Sequence, residues 1–555
     1  MPQYRFIVPQ STVREDTIPA GTIIDQPTLV GARRAWLVVL ALVLCATTCC
    51  TRDSAPVSTA EDSASPSAPP STQPTQSPDS VRETWDVYYI EGAKVGHGRT
   101  RCERVTEEGR ELVHIQTEQT TSFKRFDQKI SQHIELESWE LPNGPMVRFQ
   151  SAVNDATSKI TTHGRYHQGE LTIDTVTLGK TQTTTLPFDP SWGGFFATEQ
   201  RLERQPMQPG EKRSFLALVP VFNQVGQFTL ETVGREMTEV LGEQRELLRI
   251  RAAMQFGPTS IDTVIWTDEK GGIWKTVIPT LNQVIYRTTR DQALAEATNQ
   301  KEFDLGWRSV VTVKQKLERP HDTREIVYRA TLANGDPARE FSNGGSQQVR
   351  SLDAHTAEVT VRALRPNEPQ QEFGRAPPPT DAERSPNNFL QSDDAAVQRL
   401  AQTVAADEAD QWKVACALER LVRDTVDAPE QSPAVATAAD VAQSHTGDCT
   451  EHAVLLAALC RARGIPARVA IGLVYYERSR GFAYHMWTEA WIADRWIPLD
   501  GTLGRGGIGA AHLKITHSNL DSSDSLSAFL PVFKLLGQLQ LELLSVDGEE
   551  PMIAP

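Results

Sequence analysis

Gly447-Asp448-Cys449-Thr450-Glu451-His452, Tyr484-His485-Met486-Trp487-Thr488-Glu489 and Trp496-Ile497-Pro498-Leu499-Asp500 are the three pieces of sequence that decide how the C-terminal part of this chain folds. From Cys449 a run of strong helix formers continues to Arg463. Gly464 suits the position just past a helix end, and Pro466 prevents continuation. The spacing predicts a buried helix with Cys449 in its first turn. Unpaired amide donors and the positive end of the helix dipole favour a thiolate there, and the same amides can hold an oxyanion. Cys460, about three turns further on, reads as packing.

Ala467 to Tyr476 alternates as a strand, with Gly472 marking a bulge or a close backbone approach. A polar loop, Glu477 to Gly481, leads into a second strand, Tyr484 to Ile492. This strand and Trp496 to Leu499 flank the turn Ala493-Asp494-Arg495 and pair as an antiparallel hairpin. Counting back from the turn puts Asp500 roughly opposite Trp487 and diagonal to His485, within reach on one face. A carboxylate so placed orients the imidazole and stabilises it when protonated. The imidazole in turn takes the thiol proton and later donates it to a leaving amine. Taken singly, a Cys at a helix start is more often structural than catalytic, and His485 and Asp500 each have an ordinary strand or turn explanation. Together they point to thiol-dependent chemistry on an acyl group. His452 follows Cys449 on the same helical face and is a rival base. Trp487 and Trp496 read as walls of the site or as packing beneath it, and Arg461 and Arg468 as members of structural ion pairs.

These motifs resemble the transglutaminase-like superfamily, bacterial relatives with a papain-like core. The matching residues are Gly447, Asp448 and Cys449; Gly464-Ile465-Pro466-Ala467-Arg468-Val469; His485, Trp487 and Glu489; and Trp496, Pro498 and Asp500. The similarity runs from about Phe389 to Ile515. It implies an α+β fold with Cys449 as nucleophile, His485 as general base and acid, and Asp500 as orienter. No Trp closely precedes Cys449, so the family's second oxyanion-hole donor is not placed. Asp521-Ser522-Ser523-Asp524 is too short a signal for a calcium loop, and neither metal nor cofactor is expected.

The whole chain, at 555 residues, is too long for one core and predicts several domains at about 150 residues each. The expected fold class is multidomain: an antiparallel all-β N-terminal region followed by the α+β transglutaminase-like (papain-like) domain. The expected division is an N-terminal extension and signal peptide (1–50), a Ser/Pro-rich linker (51–80), an antiparallel β-rich domain (81–298), a small β region with a Pro-rich linker (299–386), the transglutaminase-like domain (387–520) and a C-terminal helix and tail (521–555). Arg33-Arg34 before the apolar run Ala35–Ala46 has the form of a signal peptide. The run is shorter than the ~20 residues of a spanning helix, and translation starting near Leu29 or Val30 would give a conventional leader. The protein is therefore expected outside the cytoplasm, in the periplasm or cell envelope. Membrane contact is confined to an N-terminal lipid on Cys45, Cys49 or Cys50, or to an uncleaved signal segment. The remaining cysteines, Cys102, Cys416, Cys449 and Cys460, show no CxxC spacing.

From Trp85 the pattern is period-two alternation with recurrent turns, as in Leu112-Val113-His114-Ile115-Gln116 and Leu171-Thr172-Ile173-Asp174. This predicts a large meander ending near Arg290, then a short helix from Asp291 to Ala297. Further strands are expected at Val310–Val313, Ile326–Tyr328 and Val359–Val361, with a hairpin turn at Asn334-Gly335. This middle part reads as a spacer or packing partner, with glycan or peptide binding as the sharper alternative. Helices are expected from Ala395 and from Gln411, and an amphipathic helix through Phe529, Val532, Phe533, Leu536, Leu539 and Leu543. The Gly-rich stretch Gly501–Gly509 is either a lid or a plain connection. The net charge of −15 leaves no basic excess to neutralise a nucleic-acid backbone. A protein or peptide substrate of the cell envelope is the expected partner. Hydrolysis of amide bonds through a thioester is favoured over glutamine-dependent cross-linking and over a non-catalytic binding module.

Overall fold

The computed structural model describes residues 81–549 apart from 126–127, 143–144, 156–158, 178–179, 221, 257–258, 297–302, 305–308, 367–372, 375, 428–435, 521–529 and 536. The expected leader with Cys45, Cys49 and Cys50, the linker 51–80 and the Asp521–Asp524 run lie outside the described residues. No helix among the described residues is long and apolar enough to cross a membrane.

Alternating side chains build a 14-stranded antiparallel sheet from the N-terminal half. Successive strands pair outward from Val81–Ile90 to Lys180–Pro187. A second series then runs from Lys212–Val219 back to Gln283–Thr288, which pairs with the first strand and joins the two series. One face carries Tyr88, Ile115, Leu136, Phe149 and Ile285 into the core. The expected helix after the sheet is Arg290–Leu294, capped by the Thr289 side chain. The fold class is thus mostly antiparallel sheet followed by a C-terminal domain of helices and sheets.

A second, 4-stranded sheet has Glu325–Leu332 between Thr356–Arg362 and Leu539–Val546, with Gln347–Ser351 outermost. Two expectations are corrected by it. Asn334-Gly335 closes no hairpin, because the strand before it pairs with Thr356–Arg362 and Leu539–Val546 while the chain passes into a short helix at Pro337–Glu340. The C-terminal apolar stretch is not one helix. A helix covers Leu530–Leu535, Gly537 turns the chain at φ +63°, and Leu539–Val546 is a strand. Leu539, Leu541 and Leu543 are buried while Gln540 and Glu542 are exposed. The period is therefore two, and the helical match rested on Leu539 and Leu543 alone.

The C-terminal domain sets helices against a 5-stranded sheet. The helix Cys449–Ala462, the Cys449 helix, is buried over almost its whole length. It packs on the strands Ala467–Tyr476 and Gly481–Ile492, the second of which is the His485 strand. Flanking helices are Ala395–Ala401, Gln411–Thr425 and Ala438–Ser444. The His485 strand pairs along its length with Ala467–Tyr476, and at one end with Arg495–Leu499. The strand His512–Ser518 pairs with the other edge of Ala467–Tyr476. Gly472 sits at the bulge between these two strands, where a Cβ would lie 2.0 Å from the Leu513 carbonyl oxygen and 2.8 Å from the Trp487 ring. Only a glycine lets that strand approach and leaves Trp487 its place beside His485.

On the same face as His485 lies a buried ionic cluster. Glu489 accepts from Arg468 Nε at 2.7 Å and from Lys514 Nζ at 2.6 and 2.7 Å, and Arg468 stacks over Trp496 at 4.0 Å. Burial opposes the Glu489 charge, but the two cations win and hold the carboxyl at about 2. Burial outweighs the pairing for Lys514, which falls to about 8. The Glu489 contribution to stability is present above the ordinary carboxylate range and is lost as pH falls toward 2. Replacing Glu489 by Gln leaves two buried cations without their counter-charge. It should destabilise the domain by about 3–5 kcal/mol, measured by urea unfolding at neutral pH.

Candidate active site

Asp448 begins the Cys449 helix as its N-cap. The Asp448 side chain accepts from Thr450 N–H at 2.9 Å, and Glu451 accepts from Asp448 N–H at 2.9 Å, closing a capping box. Asp448 is therefore the device that fixes where the helix starts. Cys449 is its first residue, and its N–H has no acceptor within the helix. The sulfur lies beside the His485 imidazole and the Met486 N–H, both of which favour its thiolate. Cys449 is 3% exposed.

The turn at Ala493-Asp494 has φ of +51° and +59°, the twist that suits a two-residue hairpin loop. It pairs Ile492 with Arg495 and Thr488 with Leu499, so Asp500 comes opposite Trp487, as the hairpin count expects. His485 Nε2–H donates to Asp500 Oδ2 at 2.8 Å. A carboxylate only accepts, so this nitrogen carries the proton and Nδ1 is left to face the sulfur. The structure thus brings Cys449, His485 and Asp500 together, with His485 hydrogen-bonded to Asp500 and close enough to the sulfur to act on its charge.

Three further neighbours hold Asp500. His512, twelve positions beyond Asp500, donates from Nε2 to the same Oδ2 at 3.2 Å. Thr502 donates to Oδ1 from its N–H at 2.9 Å and its hydroxyl at 2.6 Å. Glu419, on Gln411–Thr425, accepts the Asp500 backbone N–H at 2.9 Å. Thr502 is a local contact two residues on, whereas His512 and Glu419 are revealed only by the strand order and the packing of the helix. Trp487 packs with Ala470 and Ile508, stands edge-on to His512 at 5.4 Å and lies 6.3 Å from His485, as a wall of the site. Trp496 donates to the Pro377 carbonyl and sits under Arg468, away from the sulfur's contacts. Arg461 is held by the carbonyls of Ala467 and Ser385 and by Asn519.

Burial alone would neutralise Asp500, but the His485 and His512 donors hold its carboxyl well below the ordinary range. Against its own burial, His485 is held well above the usual imidazole range by Asp500 and Cys449. Burial pushes the Cys449 thiol up, and His485 and the Met486 N–H pull against it. The thiolate is therefore stable only with a protonated His485 beside it, and the two titrate as a pair. Burial keeps His512 on the neutral side and lowers His321 to about 4. Cys416 and Cys460 are buried and pushed up to about 12, which leaves them inert packing thiols.

One donor atom each from His485, Asp500 and His512 lies within 4.8 Å of the others, a set that could hold a transition ion. The same groups already satisfy one another by hydrogen bonds, and an ion there would draw His485 away from Cys449. His452, the rival base, is committed elsewhere: Nδ1 donates to the Asp448 carbonyl at 2.7 Å. His452→Gln should therefore leave the rate of Cys449 alkylation by iodoacetamide nearly unchanged, whereas His485→Gln lowers it by roughly 10²-fold at neutral pH. Peptide mapping by mass spectrometry reads both, and an equal loss in the two variants would contradict the assignment.

No curated protein matches the sequence. Three solved structures are similar over parts of the chain. A proposed cysteine protease from Cytophaga hutchinsonii is 18% identical over 39% of this chain and 83% of its own, with a TM-score of 0.26. A beta-barrel-like protein of a domain of unknown function from Brucella abortus is 9% identical over 38% and 95%, with a TM-score of 0.28. A proposed protease from Parabacteroides distasonis is 10% identical over 62% and 63%, with a TM-score of 0.16. Residues 398–501 match the family model of the transglutaminase-like superfamily. That segment runs through the Cys449 helix and the His485 strand and ends one residue past Asp500, and it makes the C-terminal domain of this chain a transglutaminase-like domain.

Proposed function

We propose that the protein is an exported cysteine-dependent enzyme that cleaves amide bonds through a thioester, with Cys449 as nucleophile, His485 as base and acid, and Asp500 as the group that orients His485. The observation that carries this reading is the buried His485–Asp500 hydrogen bond beside the Cys449 thiol at the helix start. The transglutaminase-like match, over a range that includes the three residues, supports a cysteine-type enzyme. Export rests on Arg33-Arg34 and the apolar run Ala35–Ala46.

In this reading the thiolate adds to the amide carbon, and the carbonyl oxygen takes the negative charge. The Cys449 N–H at the helix start is placed to meet that oxygen. The proton on His485 Nδ1 passes to the leaving amine as the tetrahedral adduct collapses to a thioester. Neutral His485 then takes a proton from water, which attacks the thioester carbon, and thiolate and imidazolium are restored as the acid leaves. Throughout, the Asp500 carboxylate keeps the imidazole ring oriented and favours its protonated form. Because Cys449 is 3% exposed, a peptide reaches the sulfur only through a local opening of the segments over it. The substrate we expect is a protein or peptide of the cell envelope. Transfer of the acyl group to an amine, which gives a cross-link, would use the same thioester.

Cys449→Ala should abolish turnover, and Asp500→Asn should lower it by roughly 10²–10⁴-fold with the fold retained. The check is mass spectrometry of envelope proteins incubated with each form. New peptide termini or deamidated glutamine that vanish with Cys449→Ala support hydrolysis. Glutamyl-lysine isopeptides identify transfer instead, and identical product profiles for wild type and Cys449→Ala would refute an enzyme working through this thiol.

A further inference from the structure

We infer that Glu419 is a positioning residue of this site: its buried carboxylate fixes the backbone of Asp500 and the Gly-rich loop that carries the chain from Asp500 to His512. The inference rests on the reading of Cys449, His485 and Asp500 given above and adds a residue to it.

Glu419 lies on Gln411–Thr425 beside Leu418 and Val422, and all three are fully buried. A leucine would suit such a face, and a carboxylate there is unfavourable unless its oxygens are hydrogen-bonded. Both oxygens are used, and the donors are backbone N–H groups. Oε1 accepts from Asp500 at 2.9 Å, Oε2 accepts from Gly506 at 2.6 Å, and Gly507 N–H lies 3.2 and 3.3 Å from the two. The loop reaches Glu419 only through glycines. Gly506 and Gly507 have φ of +77° and +94°, and a Cβ on Gly507 would lie 2.8 Å from the Arg365 guanidinium. Arg365 in turn donates to the Ile508 carbonyl at 3.0 Å, which holds the far side of the loop.

The ends of this loop are Asp500 and His512, which meet again at Asp500 Oδ2. A single carboxylate on a neighbouring helix therefore sets the start of the loop, its middle and, through them, the approach of His512 to the group that holds His485. Glutamine cannot take over this role. It offers one acceptor oxygen where two are needed, and its amide would set N–H against N–H at Asp500 or at Gly506.

The test follows the rate of Cys449 alkylation by iodoacetamide against pH in the full-length chain, for wild type, Asp500→Asn, Glu419→Gln and Glu419→Asp, with a thermal unfolding curve for each. Burial pushes the Cys449 thiol up; if the His485 imidazolium overcomes it, as the thiol-enzyme reading requires, wild-type alkylation should persist below the range of an ordinary thiol. Burial raises the Glu419 carboxyl to about 7, so the contrast is read just above neutral pH, where Glu419 is ionised: Glu419→Gln should shift the profile toward that of Asp500→Asn, with about a tenfold loss there, equivalent to one pH unit. Glu419→Asp keeps both oxygens on a shorter arm and should fall between the two. It decides the matter if the Gln variant does not fold. A wild-type profile in a folded Gln or Asp variant would overturn the inference, because a residue that only supports the fold changes the unfolding curve and not the profile. An ordinary thiol profile in the wild type would overturn the thiol-enzyme reading itself, and this inference with it.

Discussion

The hydrogen bond from His485 Nε2 to Asp500 Oδ2, 2.8 Å long and fully buried, is the constraint on which the rest of the site depends. A buried carboxylate survives as an anion only if it is surrounded by donors. Asp500 has four on its side chain, from His485, His512 and both donors of Thr502, and its backbone N–H is tied to Glu419. The ionised Asp500 makes a protonated His485 favourable, and a protonated His485 makes a buried Cys449 thiolate tolerable. If the first of these were neutralised, burial would return the other two to their uncharged forms.

The surrounding fold places this one carboxylate. Five elements converge on it: the hairpin that carries His485 and ends at Asp500, the strand that starts at His512, the Glu419 helix, the Gly-rich loop and the capped start of the Cys449 helix. On the same face of the sheet, Glu489 gathers Arg468 and Lys514 into a second buried ionic group. Trp487 stands between the two groups along the His485 strand, where its ring can lie over Gly472. That separation keeps the Lys514 and Arg468 cations paired with Glu489 and apart from Asp500.

Much of this was legible in the sequence because the relevant signals are local. Cys449 falls at a helix start because strong helix formers run on from it and Gly464 can end the helix; the capping box of Asp448 and Glu451 is what the structure adds. Asp500 falls near Trp487 because a strand has a period of two, and the structure fixes the register by closing the turn at Ala493-Asp494 with Arg495 already paired to Ile492. What was not legible depends on contacts distant in sequence. Glu419, followed by Arg420, looks like part of a solvated helix face, and only the packed domain shows that it points inward at backbone amides. His512 belongs to Asp500 through the strand order of the sheet, which no spacing encodes. The error at Leu539–Val546 is of another kind. Leucines at 539, 541 and 543 satisfy period two, those at 536, 539 and 543 satisfy the helical period, and the strand wins because Glu325–Leu332 offers an open edge to pair with.

The central claim is that Asp500 holds His485 as an imidazolium beside Cys449. The most direct measurement is an NMR titration of the His485 ring nitrogens in protein labelled with ¹⁵N-histidine, assigned with His485→Gln. The account predicts that both nitrogens carry protons at neutral pH, that the ring loses its proton only well above the usual imidazole range, and that Asp500→Asn abolishes this elevation. A His485 ring that is neutral at neutral pH and titrates like an exposed histidine, with or without Asp500, would contradict it.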